Sequence, residues 1–352
     1  MSQLFAERFK AARKMSGLSL QDLSDKLPNK ISRQALHKYE KGEVYPDSQM
    51  IDFLATAFGV RPEYFSRDVK VELGVIEFRK LNNFPVKEKN KIVEKTRETV
   101  SRYLELEDIV GLQREFVNVL EGELITSNAM VEEAAIKLRK AWNLGLDPLL
   151  NVVEILEDNH IKVIDIAEED GFDGLQTLVN GNIAVIVLNS STLIQADRKR
   201  FTALHELAHL MLRFPDSVTA REKEMFCHYF AGAMLLPAPS AIKEVGGSRT
   251  NLYINELGGV KQQYGISIQA LLHRLHNLGI ITKSYTDQFL FYINQQGWKV
   301  DEPFKYEGKE VSKRFTQLLF RALAEDQITM SKAASLSNKK LADFRNDELF
   351  VQ

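Results

Sequence analysis

The chain has 352 residues, of which 44% are hydrophobic and 27% are charged, a balance typical of a globular protein with two or three domains. Its single cysteine, Cys227, excludes an internal disulfide and a cysteine-based zinc cluster. The formal net charge of −2 means that any nucleic-acid binding must come from one local face. No apolar run is long enough to span a membrane and no signal peptide is evident, so we expect a cytoplasmic protein without membrane contact.

The first part of the chain has the pattern of a small helical bundle. The stretch SLQDLSDKLPNKISRQALHKYEKGEVYP has the layout of a helix-turn-helix, in which Ser19 and Ser32 cap two helices around a turn at Pro28 and Asn29. Short amphipathic segments predict helices at 3–15, 19–27, 32–40 and 47–57 and a last turn near 61–65.

The second helix of this motif presents a polar outer face. Arginine prefers guanine and glutamine prefers adenine in the major groove, which makes Arg33 and Gln34 candidate base readers, with Lys38 one turn later. Lys30 and Lys41 are placed to contact backbone phosphates. The candidate DNA-binding residues on this helix are Ser32, Arg33, Gln34, His37, Lys38 and Lys41.

Residues 4–65 resemble the phage-repressor-like (Xre) helix-turn-helix domain. The resemblance implies a double-stranded DNA operator that is read by a homodimer. Residues 1–65 hold ten Lys or Arg and eight Asp or Glu, so we expect modest non-specific affinity for DNA. The alternative is a repressor-like bundle that contacts proteins. The matching positions are Leu23, Ser24, Ile31, Ser32, Leu36, Tyr39, Glu40, Gly42, Pro46, Leu54 and Ala55 and the ending VRPEYF.

The patterns beyond residue 68 are less uniform. Residues 69–129 are charged and mostly helical by period, which indicates a connector whose charges form a solvated face. From about residue 130 the period becomes mixed, with strands predicted at 161–166 and 182–189, the second after an Asn-Gly turn. The later predicted elements are long helices around 197–213 and 220–235, a small helical unit at 256–278, a possible strand pair at 279–295 and a helical tail.

The stretch FTALHELAHLML holds two histidines four residues apart in an apolar helix. This spacing places His205 and His209 on one face, close enough to share a metal ion, and the pair suits zinc. Glu206 is the candidate general base because it is adjacent to the first ligand and can reach water at the metal. A catalytic zinc needs a third protein ligand, and the next helix offers Glu224 and His228, four residues apart on one face.

The same region resembles the ImmA/IrrE family of zinc metallopeptidases over roughly residues 130–280. The resemblance implies a gluzincin-like site in which Glu224 is the third zinc ligand. His228 stands where the family usually has asparagine, so it is a substitute ligand, a group that orients a ligand or a donor to the oxyanion, and we favour the orienting role. Besides His-Glu-x-x-His, the matching positions are Glu224, Cys227, Phe230, Ala231, Met234, Leu235, Leu236 and Pro237.

Pattern and resemblance together predict a mainly helical α+β fold with a small β-sheet. It consists of an N-terminal five-helix repressor-like bundle and a zincin-like metallopeptidase domain. We expect a helix-turn-helix domain at 1–68, a helical connector at 69–129, a peptidase domain at 130–295 and a helical tail at 296–352.

The two resemblances combine into one functional hypothesis. The family's characteristic targets are repressor-type regulators, which are cleaved under stress. We therefore expect a DNA-binding transcription regulator with a zinc-dependent endopeptidase domain that cleaves a partner regulator or the chain itself. The expected protein partner is a repressor or a toxin protein. The alternative is a non-catalytic repressor or antitoxin that uses the peptidase fold to hold a partner or to sense a ligand.

Overall fold

A computed structural model describes residues 2–27, 31–68, 71–74, 76, 85–112, 115–167, 172–191 and 194–346. Its fold is α+β, mainly helical with one small sheet, which confirms the predicted class. The chain divides into two compact units, each assembled from segments that are distant in sequence. The N-terminal unit comprises Met1–Leu73, Phe78–Arg114 and Lys313–Gln352, and the central unit comprises Gly74–Glu77 and Glu115–Ser312.

The N-terminal unit begins with the predicted helical bundle. Its apolar core brings together Phe5 and Phe9 of the first helix with Leu23, Leu36 and Leu54 of the next three. The four predicted helices and the last turn are confirmed. The predicted turn at Pro28 and Asn29 and the candidate phosphate contact Lys30 lie outside the described residues. The helices are α1 (Ser2–Met15), α2 (Leu20–Lys26), α3 (Arg33–Lys41) and α4 (Ser48–Phe58), followed by a 3₁₀ turn at Pro62–Ser66.

A long helix, α5 (Val86–Val110), packs against α1. Its Glu94 and Glu98 are buried, each with 8% of its surface exposed, so the prediction of a solvated charged face was wrong for these residues. Burial of the Glu98 carboxylate is compensated because Arg8 donates a hydrogen bond to it at 2.7 Å and Arg67 lies 3.3 Å away. The C-terminal helices α14 (Arg314–Ala324), α15 (Met330–Leu336) and α16 (Leu341–Asn346) complete this unit around Leu106 of α5.

The central unit contains a three-stranded sheet in the order β1-β3-β2. Strands β1 (Lys162–Ile166) and β3 (Ile183–Asn189) are parallel, and β2 (Gly174–Val179) is antiparallel to β3. The predicted Asn-Gly turn joins β2 to β3, with φ of 51° at Asn180 and 83° at Gly181. These positive φ values are those that a tight hairpin turn needs. Strand β2 was not predicted, although the turn signalled a preceding strand.

The remaining helices of the central unit surround one apolar core. Cys227, Phe230 and Met234 are fully buried there beside Leu204 and Leu207. Among the described residues, no single helix is both long and apolar enough to cross a bilayer, and only the bent pair Ala220–Leu235 and Ala238–Val245, taken together, has that length and composition. The helices are α6 (Asn128–Ala141), α7 (Val152–Asp158), α8 (Ala196–Met211), α9 (Ala220–Leu235), α10 (Ala238–Val245), α11 (Ile254–Tyr264), α12 (Ile268–Asn277) and α13 (Lys283–Gln295).

Helix α13 corrects the predicted strand pair at 279–295. Its aromatic content favours a strand, yet Tyr285, Phe289 and Ile293 recur every four residues and pack on the core. Thr282 caps the helix because its side chain accepts a hydrogen bond from the Tyr285 amide at 3.2 Å. Helical periodicity and the cap therefore outweigh the strand propensity of the individual residues.

Candidate metal centre and DNA-binding helix

Helix α8 carries the two histidines of the His-Glu-x-x-His motif. Leu204, Leu207 and Ala208 are fully buried on this helix and fix its apolar face against the core. His205 is buried with 5% of its surface exposed, and His209 is partly buried. Because the residues are four apart, their rings lie one turn above each other, and the two Nε2 atoms are 3.2 Å apart.

Helix α9 brings a carboxylate to the same point. Thr219 caps the helix: its hydroxyl accepts from the Glu222 amide at 3.3 Å, and Glu222 accepts from the Thr219 amide at 2.8 Å. The Thr219 hydroxyl also donates to the Glu222 carboxylate at 2.7 Å, and this bond together with that from the Thr219 amide lowers the pKa of Glu222. In the next turn, Glu224 places Oε2 at 3.4 Å from Nε2 of His205 and Oε1 at 3.4 Å from Nε2 of His209.

The donor set of these three residues fits a zinc ion. Ligand atoms of His205, His209 and Glu224 all lie within 4.8 Å of one another. Tetrahedral zinc holds nitrogen and oxygen at about 2.0–2.1 Å, so neighbouring ligand atoms lie about 3.3 Å apart. The separation of 3.2 Å between the two Nε2 atoms matches this spacing. The two carboxylate oxygens of Glu224 lie at a similar distance, 3.4 Å, from one imidazole each. Two imidazoles with one carboxylate are also a donor set that suits zinc.

The two imidazole rings are held differently. Sγ of Cys227 lies 3.6 Å from Nδ1 of His209. A proton on Nδ1 would be donated to this sulfur and would leave Nε2 available as a ligand, which is how outer groups fix a ligand's tautomer. Nδ1 of His205 is buried without a hydrogen-bond partner in the described part of the chain. The sequence indicated only that Cys227 is a buried apolar residue; its contact with His209 depends on how α8 and α9 pack.

Glu206 lies next to β2, one of the two edge strands of the sheet. A side chain added at Gly174 of β2 would place its Cβ 2.7 Å from Thr202 Cγ2 and 3.3 Å from Glu206 Cγ. Only glycine allows the strand to approach α8 this closely. Sequence reasoning did not identify Gly174, and the signal available was a glycine at the start of an alternating segment before an Asn-Gly turn.

His228 lies beside the three-residue group and is not part of it. It is exposed, its ring centroid is 4.3 Å from that of His205, and its ring stacks on Phe201 at 6.0 Å. The grouped ligand atoms come from His205, His209 and Glu224 alone. The favoured orienting role for His228 remains a prediction.

In the N-terminal unit, α3 has the form expected of a recognition helix. Ser32 caps it by accepting from the Ala35 amide at 3.2 Å, and Gly42 ends it with φ of 72°. Leu36 is fully buried and anchors the inner face. A bidentate ion pair from Arg13 to Glu40 fixes the helix to α1, with a shortest contact of 2.8 Å. The six candidate DNA-binding residues are all exposed: Ser32, Arg33, Gln34, His37, Lys38 and Lys41.

Two regions of the chain match known protein families. Residues 9–65 match the family model described as helix-turn-helix. Residues 160–276, from the start of the sheet to α12, match the peptidase-family model described as the IrrE N-terminal-like domain. No curated protein matches the chain at a significant level. The chain therefore joins a helix-turn-helix DNA-binding domain to an IrrE-like domain of a peptidase family, the combination that its sequence motifs predict.

Proposed function

We propose that this protein is a sequence-specific DNA-binding transcription regulator whose central unit is a zinc-dependent endopeptidase. Its substrate would be a partner repressor or toxin protein, or the chain itself. The observation that carries the proposal is the convergence of His205, His209 and Glu224 at zinc-ligand spacing, with Glu206 adjacent on α8. A carboxylate beside a three-ligand site is the arrangement of metal-assisted amide hydrolysis.

Each residue of the site has a distinct role in this proposal. His205, His209 and Glu224 would hold the zinc ion, and Cys227 would keep His209 in the ligating tautomer. A bound zinc ion supplies Lewis-acid chemistry, which activates water and polarises the amide carbonyl. Glu206 would accept the proton of the attacking water and then transfer it to the leaving amine.

Strand β2 is suited to hold an extended peptide across the site. It is an edge strand, and the Gly74 amide donates to its Leu178 carbonyl at 2.8 Å. In an antiparallel strand, the backbone N–H and C=O groups of successive residues point to opposite edges of the strand. The backbone groups of Gly174, Gln176 and Leu178 therefore all point to the outer edge of β2, away from β3. A peptide that adds to this edge would pass close to Glu206.

The zinc-binding role predicts a defined metal stoichiometry. The full chain should bind one zinc ion per molecule, and His209→Ala should lose it because two ligands form an incomplete site. His273→Ala is the matched control, because His273 lies outside the three-residue group and should leave the zinc content unchanged. Metal analysis after gel filtration measures both outcomes. A wild-type protein that stays metal-free in excess zinc would contradict the proposal.

Cleavage itself is tested on regulators encoded beside the gene and on the chain. The zinc-loaded protein should produce defined fragments, a chelator should stop cleavage, and added zinc should restore it. If zinc is bound at one equivalent but no fragments appear with any candidate substrate, the non-catalytic alternative is favoured: a repressor or antitoxin that uses the fold to hold a partner or sense a ligand.

The DNA-binding role predicts base-specific losses on α3. Arg33→Ala and Gln34→Ala should each weaken binding to the preferred operator by about 1 to 3 kcal/mol, because a bidentate base contact is lost. Gln49→Ala is the matched control, since Gln49 is an exposed glutamine on α4. Fluorescence anisotropy with an operator selected from random duplexes measures the affinities. Equal losses for Gln34→Ala and Gln49→Ala would contradict base reading by α3. Gel filtration of the complex tests the expected homodimer.

A further inference from the structure

A cleft of about 970 Å³ opens along α9 in the central unit. Its lining includes Glu224 and His228, so it is continuous with the candidate metal centre. The other walls are formed by residues of α8, α11, α12 and α13 and of the segment after α13. A volume of this size accommodates several residues of an extended polypeptide.

The lining of the cleft carries more positive than negative charge. Six cationic and three acidic side chains contribute to it, although the whole chain has a net charge of −2. The acidic groups are Asp197, Glu224 and Glu302. Asp197 and Glu302 lie 3.0 Å and 2.9 Å from the Lys261 ammonium, and Glu224 is the proposed zinc ligand. All three acidic groups are thus engaged within the protein.

Three of the cations are available to a ligand. Arg221, Lys283 and Lys299 are exposed, and none has a carboxylate partner within the part of the chain that the structure describes. Low-dielectric walls concentrate the field of such groups inside a cleft. A bound zinc ion would add further positive charge next to Glu224.

The cleft also offers apolar contact surface. Met225 and Val300 line it with 49% and 73% of their surfaces exposed, and Phe201 of α8 also lines it. Exposed apolar side chains beside cations are suited to a ligand that alternates apolar and acidic groups.

We infer that the central unit selects polypeptide segments rich in acidic residues, which bind along α9 with their carboxylates at Arg221, Lys283 and Lys299. This inference rests on the proposed function, because it names the class of substrate for that site. The evidence for it is the charge complementarity of a cleft that is continuous with the metal centre.

Peptide binding tests the inference separately from catalysis. The probes are a short fluorescein-labelled peptide rich in glutamate and leucine and its counterpart with glutamine in place of each glutamate. Zinc-loaded, full-length Glu206→Gln protein keeps the cleft and avoids cleavage. Anisotropy should show tighter binding of the acidic peptide, and the preference should decrease as salt is raised. The triple variant Arg221→Gln, Lys283→Gln and Lys299→Gln should bind it roughly tenfold more weakly.

A matched triple variant controls for net charge. Lys243→Gln, Lys305→Gln and Lys309→Gln removes three exposed cations that do not line the cleft, and it should bind the acidic peptide as the parent does. The inference would be overturned if the protein bound both peptides equally or bound neither of them. It would also be overturned if the two triple variants lost equal affinity for the acidic peptide. So would a single-stranded oligonucleotide that binds with the same dependence on the cleft cations and displaces the peptide. Acidic-peptide binding without any proteolysis by wild-type protein would instead contradict the proposed function alone.

Discussion

Replacing Glu206 with glutamine should stop proteolysis while the protein remains folded and loaded with zinc. The substitution keeps the size of the side chain and removes its ability to accept a proton. A positioned general base contributes about 100-fold to 10,000-fold to a rate. The rate of cleavage of a susceptible regulator should therefore fall at least about 100-fold. The zinc content should not change, because the ligand atoms belong to His205, His209 and Glu224.

The control for this experiment is Glu133→Gln, which makes the same chemical change at an exposed position of α6. Cleavage is followed by the rate of fragment appearance, folding by thermal unfolding, and the metal by elemental analysis. If Glu206→Gln and Glu133→Gln cleave equally well, Glu206 is not the base. If Glu206→Gln loses its zinc, Glu206 helps to hold the metal, which contradicts the proposal that it acts only as the general base.

Replacing Lys261 with methionine should destabilise the central unit by about 3 to 5 kcal/mol, the usual loss when a buried ion pair is broken from one side. Lys261 is 1% exposed, and its ammonium lies within ion-pair distance of the buried carboxylates of Asp197 and Glu302. Glu302 also accepts hydrogen bonds from the Ile268 and Gln269 amides at 2.7 and 3.1 Å, which caps α12. Methionine would fill the space and leave two carboxylates without a counter-ion.

The pH dependence of this loss has a defined sign. Burial alone lowers the pKa of Lys261, but Glu302 and Asp197 outweigh it, and the pKa in the folded state is raised. The lysine therefore contributes stability that is complete below about pH 10, the pKa of an unfolded lysine, and is lost above it.

Urea unfolding monitored by circular dichroism measures this free energy for the wild type and Lys261→Met across the pH range. Lys243→Met is the matched control, since Lys243 is exposed on α10 and should change stability by less than about 0.5 kcal/mol. A variant as stable as the wild type at neutral pH would show that the buried triad is dispensable for folding.

The sequence is most informative where local rules act alone. The caps Ser19 and Ser32 and the apolar spacing of Leu23 and Leu36 define the helix-turn-helix without knowledge of the rest of the fold. The pairing of His205 with His209 is predictable for the same reason, since residues four apart on a helix are neighbours in any fold. The meeting of α8 with Glu224 of α9 needed a resemblance as well, because the packing of two helices is not a local property.

The sequence is least informative where contacts are tertiary. Gly174 becomes interpretable only when β2 lies against Thr202, and the acidic residues of α5 appear solvated until Arg8 of α1 is found beside them. The burial of β2 alternates regularly, but its buried positions include Thr177 and its partly exposed positions include Leu178, so hydropathy alone does not reveal the strand. Helix α13 was mistaken for strands because aromatic residues favour strands, and only the cap and the four-residue spacing indicate a helix.

The path of the chain limits what a single cut can achieve. Residues 115–312 of the central unit are inserted between two segments that share one apolar cluster, in which Leu106 of α5 packs with Leu318 and Leu319 of α14. If self-cleavage severed the backbone before residue 115, this cluster would still hold the two fragments together; if it severed the backbone after residue 312, the helix-turn-helix domain would stay covalently joined to the central unit. Release of the helix-turn-helix domain would thus require two scissions or a loss of stability in that shared cluster, so a single cut is better suited to altering activity in place than to setting a fragment free.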